Sequence, residues 1–459
     1  MITETTREHH NSISPWVRRG GPAVSAASLL TYVALYLHWP TLRLQIDAMV
    51  YRFAAERLLA GLDLYSTGFT GKPNELLFIY PPFAAICAIP LALLDRVSVQ
   101  FLWLLGMVAA LTYAVVRMLK SAGMQAGAGL FSLTALLVGV IAWLEPVRLT
   151  AELGQINLLL LVLVVADLLR TKHSRWAGVG IGLAAGIKLT PALFIVYLLV
   201  TRRVRAALVA SATFAATVGL GLAVAPSDSA AFWFHGRFDD VNRISHDPLA
   251  NTSVRGLFLR MHWSPTLATI VAVAVAAVAI VIAATAYRRG HTVLAVAVVG
   301  MASAAASPFS WSHHWVWFAP LIVHLGYRAY VRGGRIASAA MWLVCAIVGG
   351  WFVSVAGDTP QAGVMSLRPG GTWDEIVPAA YVFVFVAVLL CTAVWLWRLT
   401  RSSAHDLEHL KGVDTGGNRR VPLADRQHLG AVGGPQHAHS PYAFGIGDGS
   451  VDHHLAGGQ

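Results

Sequence analysis

The chain has 459 residues, 34 Lys and Arg against 23 Asp and Glu for a net charge of +11, 56% hydrophobic residues and only 12% charged ones, with a mean hydropathy of +0.61. Soluble domains carry about 25% charged residues, so this composition excludes an ordinary soluble domain and, over most of the length, intrinsic disorder. The cations punctuate apolar runs instead of pooling into a basic stripe, which excludes a nucleic-acid partner and makes membrane lipid the implied one.

The N-terminal segment MITETTREHHNS lacks the layout of a cleavable signal, so residues 1–21 are expected to form a cytoplasmic arm before a retained anchor. Apolar runs near 22–39, 79–95, 99–118, 126–143, 154–170, 176–201, 205–225, 266–286, 291–307, 314–330, 337–357 and 376–398 predict an all-α polytopic membrane protein with about twelve or thirteen crossings. The run 176–201 is interrupted at Lys188-Leu189-Thr190-Pro191 and reads either as one kinked helix or as two half-length helices meeting at a polar turn. Lys and Arg in the loops 202–205, 288–290 and 331–335 assign these to the cytoplasm, so by alternation 226–265, 308–313 and 358–375 face outward.

Two longer segments are expected outside the membrane. In 40–78, Ile46 to Leu62 places Ile46, Met49, Val50, Phe53, Ala54 and Leu58 at helical spacing, predicting an amphipathic helix on the membrane surface. The second, 226–265, is too polar to cross and too aromatic for a floppy linker. Residues 399–459, rich in Gly and His, read as a disordered cytoplasmic tail. Its His437, His439, His453 and His454 are taken as solvated. Cys87, Cys345 and Cys391 have no metal-binding or disulfide spacing and are expected to be small core residues.

Few ionisable groups lie in or beside the apolar runs, and each is a functional candidate. Asp47 opens the amphipathic helix, where a carboxylate either caps the N-terminus or does chemistry. Tyr80-Pro81-Pro82 starts the next run as a structural turn from which the Tyr80 hydroxyl can point at a ligand. Gln155 and Asn157, after the polar interval Glu145 to Glu152, suit sugar hydroxyls or cap a helix. Lys188, at its helix break, must find an anion or water, and a lipid-linked phosphate is a natural partner. In Ser307-Pro308-Phe309-Ser310-Trp311-Ser312-His313-His314-Trp315, aromatic belts explain the tryptophans but not the His pair, whose imidazoles are able to bind phosphate or sugar. Adjacent helical positions diverge by about 100°, so the two rings do not suit one metal. Asp239-Asp240 lacks the spacing of a metal-binding DxD pair.

Asp47, Tyr80-Pro81-Pro82, Gly154-Gln155-Ile156-Asn157, Lys188-Leu189-Thr190-Pro191, Asn251-Thr252-Ser253 with Arg255-Gly256, and Ser307-Pro308 through His313-His314-Trp315 together resemble glycosyltransferase family 87 over about residues 20–400. The resemblance implies a GT-C fold over 22–398 with about twelve transmembrane helices and 40–78 and 226–265 as outer loops. It also implies an inverting α-(1→2)-mannosyltransferase that moves mannose from polyprenyl-phosphate-mannose to a phosphatidylinositol mannoside or lipomannan acceptor on the outer face of the plasma membrane. An arabinofuranosyltransferase branch shares the framework, and a transporter is the alternative from another class. Under the resemblance, Asp47 is the general base. Lys188, His313, His314 and Arg255 bind the donor phosphate, and Tyr80, Gln155, Asn157 and Asn251 the sugar or acceptor. No metal or other cofactor is expected.

Overall fold

The computed structural model describes residues 13–415 except 40–41, 43, 72–75, 171–173, 238–247, 351–352, 357–358 and 368–369; over 353–361 and 402–415 it describes the backbone alone. The expected arm up to residue 12, Asp239-Asp240 and the tail histidines lie outside the described residues.

In chain order the helices are α1 (Pro15–His38), α2 (Ile46–Leu59), α3 (Pro82–Cys87), α4 (Ile89–Ala92), α5 (Arg96–Ser121), α6 (Ala128–Ile141), α7 (Glu145–Leu153), α8 (Asn157–Leu168), α9 (Val179–Ile187), α10 (Leu193–Val200), α11 (Val204–Val224) and α12 (Pro226–Trp233). They continue as α13 (Val254–Arg260), α14 (Pro265–Arg288), α15 (Thr292–Ala306), α16 (Phe318–Tyr330), α17 (Arg335–Val348), α18 (Trp373–Ile376) and α19 (Ala380–Thr415). One antiparallel hairpin, β1 (Val353–Ala356) with β2 (Thr359–Ala362), departs from the all-α expectation.

Among the described residues, five helices are long and apolar enough to cross a membrane: α1, α5, α11, α14 and the stretch Trp373–Arg401; a sixth crossing is added if α7 and α8, bent by 117°, are one broken span. The chain is thus a helical, polytopic membrane protein. The difference from about twelve crossings comes from runs that are broken or short. Run 79–95 is two short helices, α3 and α4, because Pro90 falls inside it. Run 176–201 is two half-length helices around Lys188, the second of the two readings above. The first helix begins at Pro15, so the last residues of the expected arm are helical, and Ser14 N donates to Tyr330 O.

Glycine sets several close helix contacts. A Cβ at Gly178 or Gly182 would collide with Ala206 or Ala210 of α11, which is how two membrane helices without a hydrophobic drive between them approach closely. The Asp167 carboxylate, buried on α8, accepts from Gly178 N at 2.7 Å and Ile181 N at 2.9 Å, capping α9 from a neighbouring helix. Of the cysteines, Cys345 is buried as expected, whereas Cys87 and Cys391 are on the surface because their helices turn those positions outward.

Helix α2 follows the predicted period, burying Met49, Val50 and Ala54, but it is packed into the protein through Ala48, Tyr51 and Ala55 as well. The contact is made possible by Gly154, the left-handed residue (φ 72°) that ends α7: a Cβ there would stand 2.7 Å from the Ala48 side chain. Gly154→Ala therefore combines a strained backbone with a collision and is expected to cost about 2 kcal/mol or more. The control Gly106→Ala, in a helix with open space around it, is expected to gain about 0.5 kcal/mol or more. Melting of the two variants in one detergent checks the contrast.

Candidate active site

Helix α2 starts from Gln45, buried in a left-handed conformation (φ 41°) that a non-glycine residue rarely adopts. Gln45 N donates to Glu152 O at 3.2 Å, and its Nε2 donates to Gln100 O at 3.1 Å. The strained turn is thereby pinned to α7 and α5, which directs the next residue but one, Asp47, into a cavity of about 630 Å³. The Gln45 side chain makes no capping bond to α2, and Asp47 stands in the first turn, where the helix dipole favours a negative charge. Among the described residues lining the cavity, Asp47 is the one carboxylate and Lys188 the one ammonium. The rest of the wall is largely apolar, from Val50, Ile79, Leu193, Phe232 and Phe309.

Tyrosines and an amide surround the carboxylate. Gln155 donates to Asp47; Tyr51 Oη donates to Tyr80 Oη at 3.0 Å, Tyr80 Oη donates to Gln155 Oε1 at 3.3 Å, and Tyr51 Oη stands 3.1 Å from the same Oε1. Pro81 and Pro82 begin α3 and hold Tyr80 at the wall, as the sequence predicts. Burial is the largest influence on Asp47. It pushes the carboxyl from the ordinary 3.8 up to about 6, against the opposing pull of the Gln155 hydrogen bond and the Lys188 charge.

Lys188 sits in the break between α9 and α10. Its Nζ donates to Asn157 Oδ1 at 3.0 Å and to His314 Nε2 at 2.9 Å, and it lies 5.4 Å from the Tyr80 ring centre. An ammonium only donates, so His314 Nε2 is the acceptor and the imidazole is neutral with its proton on Nδ1. That proton points to Ser310 Oγ at 3.3 Å, and Ser310 Oγ in turn donates to Ala304 O at 2.8 Å. Two of the three Nζ donors are committed, leaving the third for a ligand. His313 stacks on Trp311 with ring centres 6.1 Å apart, and its Nε2 is buried with no hydrogen-bond partner. Its carbonyl accepts from Asn157 Nδ2 at 3.0 Å. Both histidines line the cavity.

The structure thus brings Asp47, Tyr80, Gln155, Lys188, His313 and His314 to one cavity. Asn157 stands one layer behind, bridging Lys188 to the His313 backbone. Asn251 and Arg255 are not in the wall. Asn251 is consumed in a clip between two loops: its Oδ1 accepts from Ser253 N and Ser310 N, both at 3.1 Å, and its Nδ2 donates to Pro308 O at 3.1 Å. Thr252 Oγ1 donates to Ser310 O at 2.7 Å and accepts from Trp315 Nε1 at 2.9 Å. The two motifs that looked like ligand groups are therefore halves of one support that fixes the backbone of the His pair.

Tyr51 is the participant that sequence reading missed. Its spacing four residues after Asp47 puts it on the same helix face, and that was the available signal. The polar interval of α7 is also structural: Glu145 accepts from Tyr381 Oη at 2.6 Å, and Arg148 pairs with Glu152 and donates to Ala362 O at 2.6 Å, tying α7 to the hairpin region.

A carboxylate and a cation in the wall of one apolar-lined cavity beside membrane helices make a site in a membrane protein that is equipped for a ligand with both polar and apolar parts. The model described as glycosyltransferase family 87 matches residues 78–308, a span that contains Tyr80, Gln155, Asn157 and Lys188. A polyprenol-phosphate-mannose-dependent alpha-(1-2)-phosphatidylinositol pentamannoside mannosyltransferase of Mycobacterium tuberculosis (strain CDC 1551 / Oshkosh) is 37% identical over 326 residues, covering 68% of this chain and 73% of the relative. The protein of the same description from Mycolicibacterium smegmatis (strain ATCC 700084 / mc(2)155) is 34% identical, covering 78% of this chain and 88% of the relative. A polyprenol-phosphate-mannose-dependent alpha-(1-2)-phosphatidylinositol mannoside mannosyltransferase of Mycobacterium tuberculosis (strain ATCC 25618 / H37Rv) is 33% identical, covering 80% and 88% respectively. No solved structure matches the chain. The chain belongs to glycosyltransferase family 87 and is a glycosyltransferase.

Because the Gln155 donor favours the charged carboxylate, Gln155→Leu is expected to move the Asp47 titration upward from about 6. Infrared titration of the carboxyl band, with Asp47→Asn to assign it, checks the direction.

Proposed function

We propose that the chain is an inverting α-(1→2)-mannosyltransferase that takes mannose from polyprenyl-phosphate-mannose and gives it to a phosphatidylinositol mannoside or lipomannan acceptor. The relatives' names supply the donor and acceptor classes. The placement of Asp47 and Lys188 in the wall of one cavity is the observation that carries the reading. Arg and Lys in the loops 202–205, 288–290 and 331–335 support an outward-facing site, and we read the fold as GT-C.

In this reading an acceptor hydroxyl oxygen attacks the anomeric carbon of the β-linked donor sugar, and its proton passes to the Asp47 carboxylate. The bond from that carbon to the phosphate oxygen breaks, and the electron pair leaves with polyprenyl phosphate. The new linkage is α because attack comes from the opposite face. A phosphate leaves readily, so no general acid is needed, and a carboxyl raised to about 6 is a stronger base than an ordinary one while still mostly ionised at pH 7. The free donor of Lys188 and the unpartnered His313 Nε2 offset the charge growing on the phosphate, in the role a metal plays in soluble nucleotide-sugar enzymes. Tyr80 and Gln155 orient the sugar or acceptor, and the apolar wall accepts the start of the lipid chain.

The deciding assay is transfer of labelled mannose from polyprenyl-phosphate-mannose to a phosphatidylinositol mannoside, with EDTA present. Wild type is expected to transfer, and Asp47→Asn to lose about 100-fold or more with donor binding nearly intact. Near-normal turnover by Asp47→Asn would remove the base, and transfer only from an arabinose donor would move the chain to the arabinofuranosyl branch. The pH profile follows from the raised carboxyl: Asp47 is ionised above about 6 and neutral below it. The rate is therefore expected to fall about tenfold per unit below that pH. A profile flat down to pH 4.5 would contradict the assignment.

A further inference from the structure

A second cavity, of about 390 Å³, lies at the other end of α15. Gly290 to Val293, at the start of that helix, line it, whereas Ala306, at the end, lines the Asp47 cavity. The helix has 15 residues; at 1.5 Å each, this puts the two cavities roughly 22 Å apart. The basic loops 288–290 and 331–335 belong to this end, which the positive-inside rule assigns to the cytoplasm.

The wall of this cavity is cationic and rich in donors. The Arg328 guanidinium lies 4.6 Å from the Trp395 ring centre and that of Arg332 lies 5.8 Å from Tyr327. Neither is paired with a carboxylate among the described residues. The charged or titratable groups that bear on His324 are His291 and Arg328, those on His291 are Arg328 and Arg289, and the one on Arg328 is Arg332. None is an acid. Tyr327 is 7% exposed, and its hydroxyl is buried with no hydrogen-bond partner. Leaving such a group unpaired is unfavourable, because it has given up its water without gaining a partner. Helix α15 begins here with no side-chain cap, so its first N–H groups and the positive end of its dipole face the same space.

Clustered cations without a counter-charge, an orphan hydroxyl and an uncapped helix start all lack the same thing, which is an anion with several acceptor oxygens. We propose that this second cavity binds a phosphate group, at a site separate from the one that carries Asp47. Arg328 and Arg332 supply the charge, and the Tyr327 hydroxyl and the start of α15 supply hydrogen bonds. Two sources share this chemistry: the headgroup of an anionic phospholipid in the adjoining leaflet and free phosphate.

The test uses the full chain in nanodiscs. One arm adds phosphatidylglycerol to phosphatidylcholine discs and counts bound anionic lipid by native mass spectrometry. The other titrates inorganic phosphate into discs of phosphatidylcholine alone and follows the melting temperature. Wild type is expected to respond in one arm, which names the source. The double variant Arg328→Gln with Arg332→Gln is expected to bind that probe about tenfold more weakly or worse. Tyr327→Phe, which removes only the orphan hydroxyl and so keeps the fold, is expected to weaken it about threefold to tenfold. No response of wild type to either probe, or equal affinity in wild type and Tyr327→Phe, would overturn the proposal even if the double variant fails to fold.

Discussion

An ammonium group held inside a membrane protein at a broken helix has to be satisfied, and the site is organised around that requirement at Lys188. The side chain is buried, so the charge needs protein acceptors. Asn157 Oδ1 and His314 Nε2 provide them. Each acceptor is itself held from behind: Asn157 by the His313 carbonyl, and His314 by Ser310 and Ala304 O. Three segments far apart in sequence, at 157, 188 and 313–314, are therefore joined by one polar chain. The helix break creates the need, because an unbroken helix would carry the Lys188 backbone groups internally and present its side chain to lipid or to a helix face.

The carboxylate side of the cavity rests on a different constraint, the close approach of α2 to the turn after α7. Gly154 permits that approach, and the left-handed Gln45 aims the first turn of α2 inward. Gln155, the residue after Gly154, is thus delivered to Asp47, Tyr51 and Tyr80 together. The short Gly154-Gln155-Ile156-Asn157 segment serves both halves of the cavity, with Gln155 toward the carboxylate and Asn157 toward the ammonium. This dual service explains why two amides separated by one residue sit at a sharp helix junction: the 117° bend between α7 and α8 splays their side chains to different partners.

Several other buried charges among the described residues hold parts of the protein together. Asp167 caps α9, Asp228 accepts from Leu64 N at 3.0 Å, and the Glu145, Arg148 and Glu152 set binds the hairpin region to α7. Against that background the third donor of Lys188, the bare Nε2 of His313 and the cationic group at Arg328 and Arg332 stand out as capacity directed to something besides the chain itself. One helix, α15, connects the two places where that capacity is found.

The sequence alone determined that the protein is helical and membrane-embedded, because charge content and apolar run length depend only on residue type. It also marked an interruption at Lys188, through Pro191 and the polar turn, without deciding between one kinked helix and two half-length ones, and it marked the helix starts at Pro82 and Ile46. The number of long membrane helices was not legible, since whether an apolar run is one span or two short pieces depends on what packs beside it. Six of the nine site candidates share a cavity wall because unusual polar residues among apolar ones have few solutions. Asn251 and Arg255 looked the same in sequence, yet Asn251 is spent on backbone groups of another loop, and no local pattern reveals which loop will come alongside. Tyr51 was hidden for the converse reason, a tyrosine on a buried helix face being ordinary until Tyr80 and Gln155 arrive from distant segments. Residue type set which chemistry was possible, and tertiary packing decided which polar groups were left free to perform it.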